Sequence, residues 1–265
     1  MKWVKIIALF SAIGLLATSC NGYEKLLNSN DYDATYEAAM RYYNSGSSTK
    51  AARLVETLTL PYRGRDNAEQ VAWCYAQTLY KQQEYYAAAY QFKRFASQFP
   101  YSENAEEGLY MSAYCKYMAA PAYTLDQSLT REAVEEFESF AERWPRSVHM
   151  PDVNRCLDEM YEKLMKKDFE IARGYYVIEE YHAAYEQMRR FIDLYPDSPF
   201  REEAMYYQLL AGYRYAKGSR EDKKRERLQQ VVGDFDKYSA SIKDPARLAS
   251  AQEIYTKTRA ALAAL

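Results

Sequence analysis

Glycine is scarce in this chain, nine residues in 265, and histidine scarcer still at two. So little glycine, with no sustained alternation of apolar and polar residues, excludes a sheet-based fold and points to an all-helical one. The two histidines, His149 and His182, stand outside any HExxH pattern. No CxxC, GxSxG or glycine-rich phosphate loop occurs either. The acidic pairs Glu106-Glu107, Glu135-Glu136 and Glu179-Glu180 are adjacent residues, which diverge by about 100° on a helix and cannot share a proton. They read as solvated faces, and His149 and His182 as surface or capping groups. The reading is of a non-enzyme with no metal site and no cofactor. A basic excess is missing too: the formal charge is −2, and loss of Lys2 and Lys5 with an N-terminal leader makes it −4. The run Lys223-Lys224-Arg225-Glu226-Arg227 is interleaved with acids, so nothing resembles a phosphate-tracking surface and nucleic acid is not expected as a partner. Beyond the leader no stretch approaches eighteen uninterrupted apolar residues, which argues against a membrane-spanning helix.

What the chain does have is tyrosine, 28 residues, and a phrase that recurs five times. Its clearest copies are Ala88/Phe92/Phe95/Phe99-Pro100-x-Ser102, Ala133/Phe137/Phe140/Trp144-Pro145-x-Ser147 and Ala184/Met188/Phe191/Tyr195-Pro196-x-Ser198. Steps of four, three and four keep these side chains on one helical face, and proline then stops the helix. Weaker copies flank them, Ala51/Val55/Leu58/Tyr62 and Lys224/Leu228/Val231/Phe235, with Arg63 and Asp236 where the proline would stand. Recurrence at intervals of roughly 35 to 50 residues is the mark of a helical repeat array. Counted back from Pro100 over a 34-residue unit, Ala88 and Phe92 fall where tetratricopeptide repeats carry their Ala and Phe. The small residue is needed because two helices cross closely there.

The predicted fold is therefore all-α, a superhelical array (α-solenoid) of five tetratricopeptide-like helix hairpins. Residues 32–66 form repeat 1, 67–102 repeat 2, 103–148 repeat 3 with an insertion over 119–130, 149–199 a lengthened repeat 4, and 200–243 repeat 5. A capping helix follows over 244–265, started by Asp244 as cap and Pro245 in the first turn. In repeat 2 the helices are predicted over 67–81 and 85–99, in repeat 4 the first runs 152–179, and in repeat 5 the second runs 222–235.

Residues 1–19 have the build of a secretory leader: a basic start, an apolar run from Ile6 to Leu16, then Ala17-Thr18-Ser19 before Cys20. The leader resembles a bacterial lipoprotein signal, implying that Cys20 becomes the lipid-modified first residue and that 20–31 is a polar, flexible tether. The remaining Cys74, Cys115 and Cys156 lie in helical patterns among apolar neighbours and read as buried free thiols.

Lipid signal, repeat phrase, insertion in the third unit and the stretch Lys166-Lys167-Asp168-Phe169-Glu170-Ile171-Ala172-Arg173-Gly174-Tyr175-Tyr176 together resemble the BamD family of outer-membrane protein assembly factors, over nearly all of the mature chain. The resemblance implies a non-catalytic lipoprotein on the periplasmic face of the outer membrane, held there by its lipid. The implied partners are a POTRA-containing, BamA-like β-barrel insertase at the C-terminal repeats, unfolded β-barrel precursors at the N-terminal ones, and companion lipoproteins. An extended, aromatic-ended precursor segment would meet Tyr36, Tyr43, Trp73 and Tyr80, with Arg63 and Arg65 as partners for a terminal carboxylate. The same aromatics also suit a core between repeats. The alternatives are a repeat protein coordinating cell-wall and division proteins, or one capturing glycans. The former usually carries a coiled coil and no lipid, the latter larger insertions.

Overall fold

The computed structural model describes residues 22–265, so the leader and Cys20 lie outside the described residues. Every regular element among them is helical: α1 (described over 22–27), α2 (Tyr32–Asn44), α3 (Ser48–Leu58), α4 (Ala68–Lys81), α5 (Tyr85–Gln98), α6 (Ala105–Ala119), α7 (Ser128–Arg143), α8 (Met150–Val177), α9 (Tyr181–Leu194), α10 (Arg201–Lys217), α11 (Glu221–Tyr238) and α12 (Pro245–Ala263). They form tetratricopeptide-like hairpins and divide into two compact units. Of the described residues, the first holds those up to Pro121 and Ser128–Leu157, the second Ala122–Gln127 and Asp158–Leu265. None of these helices is long and apolar enough to cross a membrane.

The repeated phrase is the core. Ala51, Val55 and Leu58 of α3, Ala88, Phe92 and Phe95 of α5, and Ala133, Phe137 and Phe140 of α7 are buried in the first unit. Ala184, Met188 and Phe191 of α9 and Leu228, Val231 and Phe235 of α11 are buried in the second. Small residues mark the close crossings: a Cβ on Gly212 of α10 would lie 2.8 Å from Val231 Cγ2 and 3.0 Å from Tyr185 Cδ2. Glu136 joins three helices, accepting from Lys93 Nζ at 2.6 Å and Ser112 Oγ at 2.9 Å, with Lys116 Nζ at 3.2 Å. Burial would push its carboxyl up, but these donors and cations hold it below the usual range.

The corners explain the rest of the phrase. Phe99 and Tyr195, each before a proline, leave the helix at φ −125° and −124°, the extended region a residue before proline is pushed into. In each of the three Pro-x-Ser corners the serine N–H donates to the aromatic residue's carbonyl, and its hydroxyl accepts the N–H two residues on: Asn104 at 3.0 Å, His149 at 3.1 Å, Phe200 at 3.1 Å. That serine turns the chain into the next helix. Within hairpins, Gly46, Gln83 and Glu179 take the left-handed conformation that closes a helix C-terminus, with Ser47 N, Glu84 N and Glu180 N donating to carbonyls five residues back.

Several segments differ from the sequence reading. The stretch read as a flexible tether is helical over 22–27, with Tyr23 buried and its hydroxyl donating to Lys50 O at 3.1 Å. Tyr23, Leu26 and Leu27 make one apolar face at i, i+3, i+4 that packs on the first hairpin. The insertion is shorter than 119–130: Ala119 ends α6, Ser128 opens α7, and Thr130 is already buried helix. Gln127 ties the eight-residue connection to Ala122 O and Leu125 O. Helix α8 spans Met150–Val177 rather than 152–179, and α11 runs on past Phe235 to Tyr238 because no proline stops it. Asp244 caps α12 by accepting Ala246 N–H at 2.9 Å, as its Asp-Pro start predicts.

Candidate functional site

Two copies of the phrase lack Pro-x-Ser; at the fifth the helix simply runs on past Phe235, whereas at the first the chain still turns. After Tyr62, whose N–H donates to Leu58 O as Phe99's does to Phe95 O, come Arg63 where the proline stands elsewhere, then Gly64, then Arg65 where the serine stands. The backbone logic survives: Arg65 N donates to Tyr62 O at 3.1 Å and Ala68 N to Arg65 O at 3.0 Å. Proline has moved upstream to Pro61, which lacks the N–H to continue α3, and that helix ends at Leu58. Gly64, at φ +77°, accommodates the resulting turn.

Beside this corner lies a cavity of ≈ 350 Å³ walled by the corner, α4 and α5. Arg63, Arg65 and Arg94 line it against a single acid, Asp66. Tyr62, Tyr75, Phe95 and Phe99 supply aromatic surface, and Gln91 and Gln98 amides that can both donate and accept. Among the described residues Arg63 and Arg94 have no ion-pair partner, whereas Arg65 sits 3.4 Å from Asp33 with its guanidinium 5.0 Å above the Tyr62 ring. Tyr62 is buried and fixed, its hydroxyl directed at Asp33 Oδ1 (3.2 Å) and Tyr32 O (3.3 Å). Burial first, then this hydrogen bond and the Asp33 charge, raise its pKa, so it remains a neutral donor. Guanidinium groups beside ring faces in a concave, half-enclosed setting suit a ligand carrying both a carboxylate and an aromatic side chain.

Of the six residues singled out in the sequence, Arg63 and Arg65 line the cavity. Tyr36 stands behind its wall, stacked on Tyr62 at 5.4 Å with its hydroxyl donating to Gln70. Tyr43, Trp73 and Tyr80 lie outside it: Lys81 covers the Tyr43 ring at 4.5 Å, Trp73 packs on Phe92 and Phe95, and Tyr80 packs on Tyr85. Arg94, Tyr75, Gln91 and Gln98 were not singled out, although Gln91, Arg94 and Gln98 form a polar stripe at i, i+3, i+7 on α5.

Groups that elsewhere do chemistry are engaged structurally. Cys74 and Cys115 are buried free thiols pushed up to about 12 by desolvation, and Cys156, also buried, has its Sγ 3.3 Å from Arg155 Nη2. His149 stacks on Tyr110 at 4.0 Å with Nε2 2.6 Å from Glu107. His182 lies against Tyr215. Among the described residues no cluster has the composition to hold a metal ion.

Known proteins resemble the chain. It is 22% identical over 218 residues to an outer membrane protein assembly factor BamD of Neisseria gonorrhoeae, covering 76% of this chain and 82% of the relative. The BamD of Haemophilus influenzae is 21% identical over 216 residues, 78% and 82% of the two chains. A solved structure of kinesin light chain-type tetratricopeptide-like repeats from Podospora anserina matches 78% of this chain and 96% of its own at 15% identity. Its TM-score of 0.33 is too low to bear on the fold. The family described as YfiO, outer membrane lipoprotein, matches residues 28–228, from before α2 into α11 and including the whole arginine corner; the chain belongs to that family.

Proposed function

We propose that the chain is a non-catalytic, lipid-anchored scaffold that recognises unfolded precursors during assembly of β-barrel proteins into the outer membrane. Its cavity takes the C-terminal end of an extended precursor segment. The terminal carboxylate pairs with Arg63, Arg65 and Arg94, the last aromatic ring lies against Tyr62, Tyr75 and Phe99, and Gln91 and Gln98 serve the peptide backbone. The carrying observation is the corner itself, where arginines replace the proline and serine of the other corners and open onto aromatic walls. Kinship to BamD proteins, named as outer membrane protein assembly factors, supports the same role. Cys20, outside the described residues, is the lipidated residue in this reading, and the periplasmic face of the outer membrane the location.

The second unit is proposed to hold a POTRA-containing insertase. Ile171, Tyr175 and Ile178, at i, i+4 and i+7 around the end of α8, stay exposed together with Leu194 and support that assignment. The recognition reading is tested with a fluorescent dodecapeptide ending in Phe, as free acid and as carboxamide. The free acid is expected to bind at least about tenfold more tightly, one charge-assisted contact's worth. Equal affinity refutes the carboxylate site.

A further inference from the structure

The helical segment over 22–27 leaves very little chain before it. Tyr23 is buried, donates to Lys50 O at 3.1 Å and meets the Tyr42 ring edge-on at 5.6 Å. Only Asn21 and Gly22 separate it from Cys20, so the Cα of Cys20 lies within about 11 Å of that of Tyr23 at full extension. An eleven-residue tether would have reached on the order of 40 Å and fixed nothing. Around Tyr23 the surface is cationic: Lys50 Nζ lies 5.7 Å and Arg53 Cζ 5.9 Å from its ring centroid. Lys50 and Lys81 share one open cavity of ≈ 520 Å³ with Ser47, Ser48 and Thr49. Two acids interrupt it, Glu24, 3.8 Å from Arg53, and Glu84. This is a local positive excess on a chain of negative net charge.

We propose that the face beside Tyr23 that carries Lys50, Arg53 and Lys81 rests on the phosphate-bearing surface of the membrane that holds the Cys20 lipid. The proposal depends on the reading of Cys20 as lipidated. The anchor lies within about 11 Å of the Tyr23 Cα, and Lys50 and Arg53 lie 5.7 and 5.9 Å from its ring, so the lipid holds this face beside the headgroups, where each cation that comes within a Debye length strengthens adhesion. Serine and threonine hydroxyls beside them can donate to phosphate oxygens. The anchor then fixes an orientation as well as a location, with the first hairpin at the bilayer.

The test uses the full lipidated chain in vesicles of phosphatidylethanolamine and phosphatidylglycerol carrying a headgroup-attached quencher. A fluorophore is placed at Thr49→Cys, on the proposed face, or at Glu142→Cys on α7, two hairpins further along the first unit. Thr49 fluorescence is expected to be quenched several-fold more than Glu142 fluorescence. The triple reversal Lys50→Glu/Arg53→Glu/Lys81→Glu is expected to relieve most of that difference while the protein still floats with the vesicles. Lys81→Glu alone, an exposed change at a helix end, is expected to give a partial effect and guards against loss of fold in the triple variant, with helicity followed by circular dichroism. Quenching no greater at Thr49 than at Glu142, or unchanged by both reversals, overturns the proposal while lipid on Cys20 is present by intact mass. A chain without lipid mass that fails to float overturns the lipidation reading, and this proposal with it.

Discussion

The corner at Tyr62–Asp66 and the three Pro-x-Ser corners solve one backbone problem with different side chains. Where the solution is Pro and Ser, the corner is self-contained: proline ends the helix, and serine spends its hydroxyl on the backbone. At Tyr62 the backbone bonds are kept without either residue, so two side chains are released from turning the chain and both are arginine, Arg65 pairing with Asp33 and Arg63 with no described acid. In the proposed reading, a position that a repeat fold normally commits to turning the chain supplies the ligand contacts.

The largest effect that sharpens this contrast is in the core. Phe95 and Phe140 occupy the same position of the phrase and both are buried, so truncating either to Ala is expected to cost about 3–5 kcal/mol in chemical denaturation. Only Phe95 also walls the cavity. Phe95→Ala should therefore lose peptide binding under conditions where it is still folded, and Phe140→Ala should retain it. Next is Arg63→Glu/Arg65→Glu. Removing two cationic donors and adding repulsion is expected to weaken binding of the free-acid peptide by about 100-fold or more, with the carboxamide far less affected. Stability should change by under about 1 kcal/mol, since among the described residues the ion pair involved, Arg65–Asp33, is exposed. Binding that survives the double reversal would leave the corners functionally alike.

Much of this was legible in the chain and some was not, for physical reasons. Steps of four, three and four residues specify a buried face regardless of what packs on it, which is why the phrase located the core of both units. Arg63 and Arg65 were visible as a departure from a rule the chain itself sets. Arg94 was not, because it lies on α5 between buried Phe92 and Phe95 positions, and only the crossing of α5 past the corner turns it toward Arg63. Trp73 and Tyr80 show the converse. An aromatic on a helix presents the same pattern whether it meets a ligand or Phe92, and tertiary packing decides. Tyr23 was hidden by polar neighbours, as a single apolar turn of helix is too short for periodicity to register.

A smaller effect separates the corners by their serines. Ser102 accepts Asn104 N–H and donates to Glu69 Oε1 at 2.6 Å, so Ser102→Ala is expected to cost about 1–2 kcal/mol, read as a lower denaturation midpoint. No matching loss is expected for Arg65→Ala, whose side chain caps nothing in the turn, although that variant is expected to weaken peptide binding. Equal stability losses would mean that Arg65 does for its corner what serine does for the others.

The smallest effect lies in the backbone between the two arginines. Gly64 sits at φ +77°, whereas its counterparts Tyr101, Arg146 and Asp197 have no need of positive φ and carry side chains. A Cβ on Gly64 meets nothing within 4 Å, so any cost of Gly64→Ala comes from the left-handed conformation alone, about 1 kcal/mol. Gly64→Asn should cost less, since its short polar side chain tolerates that region. If the glycine serves only to let the chain turn without proline, both variants lower the denaturation midpoint in that order and keep peptide affinity within about twofold. A large affinity loss at unchanged stability would instead mean that the ligand approaches the Gly64 backbone itself, making the turn part of the binding surface.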